Sequence, residues 1–168
     1  MTNENRKTTR VGERLDNGPS QFIFADGVPD TTYKYEDFSN RYLRQVNFAG
    51  HNLHATSFVG SVMPGVVLAG TVLSEASFVG ANMWAADLRG AECLHADFRA
   101  AMLQGVLFDI RTEFVGCDFR GATMSKDLFV YLLQAAEEWQ LRLEGVSLSE
   151  WSREDMCLSD DFFTVQDS

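Results

Sequence analysis

The sequence predicts an all-β solenoid, and two regularities carry the prediction. Phe38, Phe58, Phe78 and Phe98 stand twenty residues apart, with Phe119 one residue late. Every fifth position from Phe38 to Phe108 is apolar, running through Leu43, Phe48, Leu53 and Phe58 and onward. A five-residue period fits neither a helix of 3.6 residues per turn nor a strand that alternates every second residue. It fits a coil with four five-residue sides, each turning one large side chain toward the axis.

A second regular position lies two residues before each central one. From Ala76 it reads Ala76, Ala81, Ala86, Ala91, Ala96 and Ala101, and earlier it holds Thr56, Ser61, Val66 and Thr71. Two inward side chains per side share a narrow interior, so one is short. Two residues after the centre, Gly50, Gly60, Gly65, Gly70, Gly80 and Gly90 supply the tolerant backbone that a corner every five residues demands. One inserted residue near 110–113 shifts the frame, which resumes at Phe114, Phe119, Met124 and Phe129.

The pentads Ala86-Asp87-Leu88-Arg89-Gly90 and Ala96-Asp97-Phe98-Arg99-Ala100 resemble the pentapeptide-repeat family, whose motif is Ala-Asp/Asn-Leu-x-x. The resemblance covers residues 31–126 and implies a right-handed quadrilateral β-helix with four pentads per coil. The sequence supports that superperiod independently. Phenylalanines fill side one; Leu43, Met63, Met83, Leu103 and Met124 fill side two; Phe48, Leu68, Leu88, Phe108 and Phe129 fill side three; Leu53, Leu73, Cys93 and Phe114 fill side four. Like stacks on like, as in an array with nearest-neighbour contacts.

Residues 1–20 read as a flexible polar arm. Residues 21–30, with Phe22-Ile23-Phe24 and the turn signals that follow, read as an N-terminal cap, and 31–126 as the repeat. Residues 127–145 read as a capping α-helix. From 126 to 143 the apolar residues Leu128, Phe129, Leu132, Leu133, Ala135, Ala136, Trp139 and Leu143 gather within roughly 160° at 100° per residue. Ser125 is placed to start it and Gly145 to end it. Val130 and Leu141 fall off that face and make a second apolar strip suited to a homodimer contact. The remainder, 146–168, reads as an acidic tail.

Catalysis and metal binding are not expected. Gly60, Gly65 and Gly70 mimic the spacing of a phosphate loop, but the spacing is the repeat period, and Thr71 stands where lysine is required. His51, His54 and His95 fall on different sides or coils, and zinc needs more ligands than these around one point. No nucleophile–base pairing appears, short corners leave no loops for a cleft, and no cofactor is implied. No apolar run approaches a membrane span and the N-terminus carries no hydrophobic signal core. With Cys93 and Cys117 at inward positions as small hydrophobes, cytoplasmic residence is expected.

The partner expectations come from charge and from the resemblance. Members of the family occupy the DNA channel of type II topoisomerases as acidic rods. The resemblance therefore implies a protein that binds and blocks or modulates a DNA-handling enzyme or complex, such as a topoisomerase or a nucleic-acid-guided defence system. The rod itself is weakly charged, with ten acids and eight bases between residues 31 and 130. Duplex DNA carries one charge per about 1.7 Å. The acid surplus lies after 130, and Glu150, Glu154, Asp155, Asp160 and Asp161 are its candidate contacts. No charged residue occurs between Arg44 and Glu75, and Val59, Val62, Val67, Val72, Val79 and Trp84 stand at outward positions as candidate apolar contacts. The alternative is a structural scaffold or assembly subunit using that apolar surface. Direct nucleic-acid binding is not expected, because no basic stripe appears on outward positions.

Overall fold

The computed structural model describes residues 33–149; the polar arm, the cap at 21–30 and residues from Glu150 onward lie outside them, and the start of the segment expected as a tail from 146 is instead a paired strand, Ser147–Ser149. Parallel backbone pairing steps by twenty residues down the chain: Asp37 pairs with Ser57, Tyr42 with Val62, Asn47 with Val67 and Asn52 with Val72, and the next coil repeats the four. Continuous strands are few. β1 (Met102–Leu103), β2 (Thr123–Ser125) and β3 (Ser147–Ser149) form one small parallel sheet in the order β1-β2-β3, and the rest of the pairing is single bridges.

Single bridges suffice because each side is only three extended residues between corners. The central N–H of each side donates to the coil below, as from Phe58 to Ser77 at 2.7 Å and from Phe78 to Asp97 at 2.7 Å. Each corner closes with a donation back to the preceding centre, as from Val66 N–H to the Met63 carbonyl at 3.2 Å. The corner residue adopts a left-handed backbone, with φ between +53° and +70° whether it is glycine or, as at Gln45, Ala55 and Glu75, not.

The interior is the predicted set of columns. Phe58, Phe78 and Phe98 are fully buried, with successive rings 5.1 and 5.0 Å apart and nearly parallel. Buried hydroxyls at the short position reach back one coil. Ser61 Oγ donates to the Phe38 carbonyl at 2.6 Å, and Thr71 Oγ1 to the Phe48 carbonyl at 3.1 Å. Cys117 Sγ does the same toward the Cys93 carbonyl. Tyr33 extends the frame one pentad earlier than Phe38 and lies edge-on against both Phe38 and Phe48.

The inserted residue sits between Leu107 and Glu113, where the pairing step changes from twenty to twenty-one. Thr112 Oγ1 holds this turn, donating to the Leu88 carbonyl at 3.0 Å and accepting from Asp109 N–H at 3.0 Å, and Ile110 projects 93% exposed at its tip.

The C-terminal end differs from expectation. The helix α1 spans Lys126–Ala135 and stops well short of 145. Leu128 and Leu132, four residues apart, are its buried anchors. The coil above then reclaims the chain: Gly116 N–H donates to the Trp139 carbonyl at 2.6 Å and Phe119 N–H to the Arg142 carbonyl at 2.8 Å. Satisfying those groups outweighs another helical turn. The helix thus replaces one side of a coil, and Thr123 and Met124 pair onward with Ser147 and Leu148 at a step of twenty-four. Leu133, assigned to the core face, is 57% exposed. Phe129 belongs to the helix and packs only partly against the core.

Candidate interaction surface

The four sides carry different chemistry, and the pairing register shows which outward residues share a side. Side one stacks Asp37, Ser57, Ser77, Asp97, Asp118 and Arg142. Side two stacks Tyr42, Val62, Asn82, Met102, Thr123 and Ser147. Side three stacks Asn47, Val67, Asp87 and Leu107; side four stacks Asn52, Val72, Glu92 and Glu113.

The apolar candidates therefore do not form one patch. Val59 and Val79 stack on side one, as expected, since Gly60 N–H bonds the Val79 carbonyl beside them. Val62 and Trp84 lie on side two, Val67 on side three and Val72 on side four. The reason is geometric. Residues five apart turn a corner onto the next side, while residues twenty apart become neighbours. Nor do Val130 and Leu141 share a helix. Val130 is exposed on α1, whereas Leu141 lies on the returning segment and packs against the core. The acidic candidates Glu150, Glu154, Asp155, Asp160 and Asp161 lie outside the described residues.

The charges on sides one and three are mostly locked in pairs. Asp87, Asp97, Asp109 and Asp118 each clamp the arginine two residues on, with N–O distances of 2.6, 2.7, 2.8 and 2.6 Å. Each also accepts that arginine's backbone N–H, so one carboxylate fixes both the turn and the guanidinium. Hydrogen bonding from the arginine holds the carboxyls of Asp87, Asp109 and Asp118 below the usual aspartate range. Arg142 adds a longer contact to Asp118 at 3.5 Å. These pairs were missed as pairs, although the Asp-x-Arg spacing is visible in the sequence. Their effect is to neutralise in place four of the acids that a DNA-like surface would need.

Side two is different. Among the described residues its outward columns contain no acid. Beside the column above stand Arg44, Pro64, Trp84, Gln104, Ser125 and Ser149, in register through the Gln45–Pro64, Gly65–Trp84 and Ala85–Gln104 backbone bonds and the Ser125–Ser149 pair. All three strands β1, β2 and β3 lie on this side, making it the most regular face. Met102 is 44% exposed on it. Gln104 Oε1 and Ser125 Oγ are both buried without a hydrogen-bond partner in its lower half, Ser125 being the first residue before α1 and giving it no side-chain cap.

No group of three or more His, Cys, Asp or Glu that could hold a metal occurs among the described residues. His51 stacks on Tyr33 and bonds the Ala49 carbonyl, His54 meets Tyr35 edge-on, and the His95 ring lies over Gly116. Cys93 and Cys117 are buried free thiols. Among the described residues, no helix is long and apolar enough to cross a membrane.

Residues 67–105 match the family model for pentapeptide repeats, in eight copies. No curated protein sequence matches the chain. Among solved structures, the chain is similar to HetL, a pentapeptide repeat protein involved in heterocyst differentiation regulation from the cyanobacterium Nostoc, at 20% identity and a TM-score of 0.44, covering 58% of this chain and 45% of that one. The chain thus spans less than half the length of HetL. It is similar to a pentapeptide repeat protein of the Arabidopsis thaliana thylakoid lumen at 26% identity and a TM-score of 0.39, covering 60% and 73% of the two chains. QnrB1, a plasmid-mediated fluoroquinolone resistance protein, matches at 15% identity and a TM-score of 0.23, over 71% and 82%.

Proposed function

Because the chain carries pentapeptide repeats, and the same pairing extends through its described residues, we propose that it is a non-enzymatic interaction protein that docks a partner protein on side two of the rod. One observation carries this reading. In a chain of net charge −10, the outward columns of side two hold no acid among the described residues, while every other side has at least two. A face kept free of carboxylates, with Val62, Pro64, Trp84 and Met102 on it, loses little by being desolvated against another protein. The coil is taken as right-handed and four-sided, since parallel crossovers adopt that hand in nearly all cases. Free buried thiols are compatible with a reducing compartment, and cytoplasmic residence is part of the proposal.

A charge scan tests it. Asn82→Asp on side two, Ser77→Asp on side one, Val67→Asp on side three and Val72→Asp on side four each add one carboxylate at an equivalent pentad position. Complexes are then sized in extracts of the native host. Asn82→Asp is expected to release the partner, and the other three to leave it bound. Equal loss with Ser77→Asp or Val67→Asp removes side two as the docking face.

A DNA-handling enzyme is a second candidate for the partner. It is favoured by the nine acids against two arginines from residue 131 onward, which can steer association with a basic channel. The Asp–Arg clamps weigh against mimicry by the rod itself. Competition between duplex DNA and this protein for the isolated partner decides the matter, and lack of competition leaves the scaffold function.

A further inference from the structure

We infer that the chain's own C-terminal segment, residues 150–168, folds back over the lower corner of side two and makes the acids it carries part of that face. The corner residues along this edge are Gln45, Gly65, Ala85 and Gly105, and down the rod they pass from exposed through half-buried to buried. Among the described residues with a left-handed backbone, Gly105 alone is buried, although a corner is the part of a coil furthest from its axis. Its neighbours on the outward columns agree. Gln104 Oε1 and Ser125 Oγ are buried, and Trp84 and Ser149 already have partners. The helix α1 does not supply the cover, since Lys126 and Asp127, which follow Ser125 beneath this corner, are exposed. On the other half of the same side Met102 remains 44% exposed, so the cover is confined to the corner.

Three features select the segment. The strand β3 brings the chain to Ser149, in register below Ser125 and Gln104 and two rungs from the covered corner. Two rungs are about 10 Å, a distance that three or four extended residues span. The segment also holds Trp151, Met156, Leu158, Phe162 and Phe163, apolar groups able to cover the corner, together with six acids against Arg153. The other three sides would set those acids against carboxylates. Side two has none on its outward columns among the described residues, and it presents Lys126 at this corner. The chain before Tyr33, by contrast, enters at the far end of the rod. On the docking reading, a partner seated along Val62, Asn82 and Met102 meets these acids at its edge, so apolar and acidic contacts join in one surface.

The test uses the full chain with Cys157→Ser, which leaves the buried Cys93 and Cys117 as the native thiols. Gln104→Cys and, on side one, Val59→Cys are each labelled with a neutral maleimide. A second set adds Trp151→Ser, Met156→Ser, Leu158→Ser, Phe162→Ser and Phe163→Ser. Gln104→Cys is expected to label at least tenfold faster once these five are replaced, while Val59→Cys keeps its rate. Equal rates for Gln104→Cys in the two sets overturn the cover. A benzoylphenylalanine photocrosslinker at Gln104 in the otherwise unaltered chain gives an independent reading, with isotope-mixed protein to separate one molecule from two. Attachment within residues 150–168 of the same molecule is expected. Attachment to a second molecule, to residues before Tyr33 or to nothing overturns the proposal. The docking face is judged apart from this by Asn82→Asp. Release of the partner by that variant in a protein whose Gln104 is open removes the cover and leaves the docking face. Retention of the partner in a protein whose Gln104 is covered does the reverse.

Discussion

The rings of Phe78 and Phe98 lie 5.0 Å apart and within 3° of parallel, and Phe78 stands at nearly the same distance from Phe58 above it. Each ring is thus covered on both faces by its own kind, in parallel stacks that add to simple burial. Phe78→Ala opens a cavity bounded by two unsupported rings. It should cost about 3–5 kcal/mol in equilibrium denaturation. A loss below about 1 kcal/mol would contradict the column.

Ser61 tests the hydroxyl ladder. Its Oγ donates to the buried Phe38 carbonyl and accepts the Arg41 N–H at 3.2 Å. Ser61→Ala removes that donor and should cost about 1–3 kcal/mol. Ser61→Thr should keep most of it, because Thr56 and Thr71 make the same kind of bond at equivalent positions. Urea denaturation of the pair separates the lost hydrogen bond from a volume effect.

Corner geometry gives opposite outcomes at two sites. Gly116 has φ +70°, and a Cβ there would meet the His95 ring. Gly116→Ala should lose about 1–2 kcal/mol, since left-handed backbone is costly for a residue with a Cβ. Ala55 already bears that cost at φ +54°. Ala55→Gly should therefore gain a few tenths of a kcal/mol, the relief of strain being partly offset by a freer unfolded chain. Thermal melts that shift in the same direction for both would contradict the corner assignment.

The Asp–Arg clamps predict an acid dependence with a definite sign. The folded carboxyls of Asp87, Asp109 and Asp118 are lowered chiefly by hydrogen bonds from Arg89, Arg111 and Arg120. Folding then favours the ionised form. Their contribution is complete above the ordinary aspartate value of 3.8 and disappears as pH falls through the lowered folded values. Because the arginine partner of each pair stands in solvent, the effect is small. Asp118→Asn should melt lower than the parent at pH 6 and converge with it as the pH drops below that range. A constant gap would mean the clamp is not electrostatic.

Burial pushes the Cys93 and Cys117 thiols well above the usual range, and each is enclosed by the core. With Cys157 replaced by Ser, a thiol reagent should find no reactive sulfur in the folded protein at pH 8 and two after denaturation. Rapid labelling of the native protein would place one of them at the surface.

The sequence by itself determined the period, the four columns, the short inward position and the place of the inserted residue. Those follow from which side chains are large, small or glycine, and nearest-neighbour stacking makes such local facts sufficient. It did not determine the outer surface. Val62, Val67 and Val72 look like one cluster along the chain, yet each occupies a different side, because a corner separates residues five apart. Helix periodicity from 126 to 143 was real but overruled beyond Ala135, where the open carbonyls and N–H groups of the coil above drew Trp139 and Arg142 into pairing. Only the tertiary register shows that, among the described residues, the acids gather on three sides and leave the outward columns of the fourth clear, since outward residues acquire neighbours only when the chain returns a coil later.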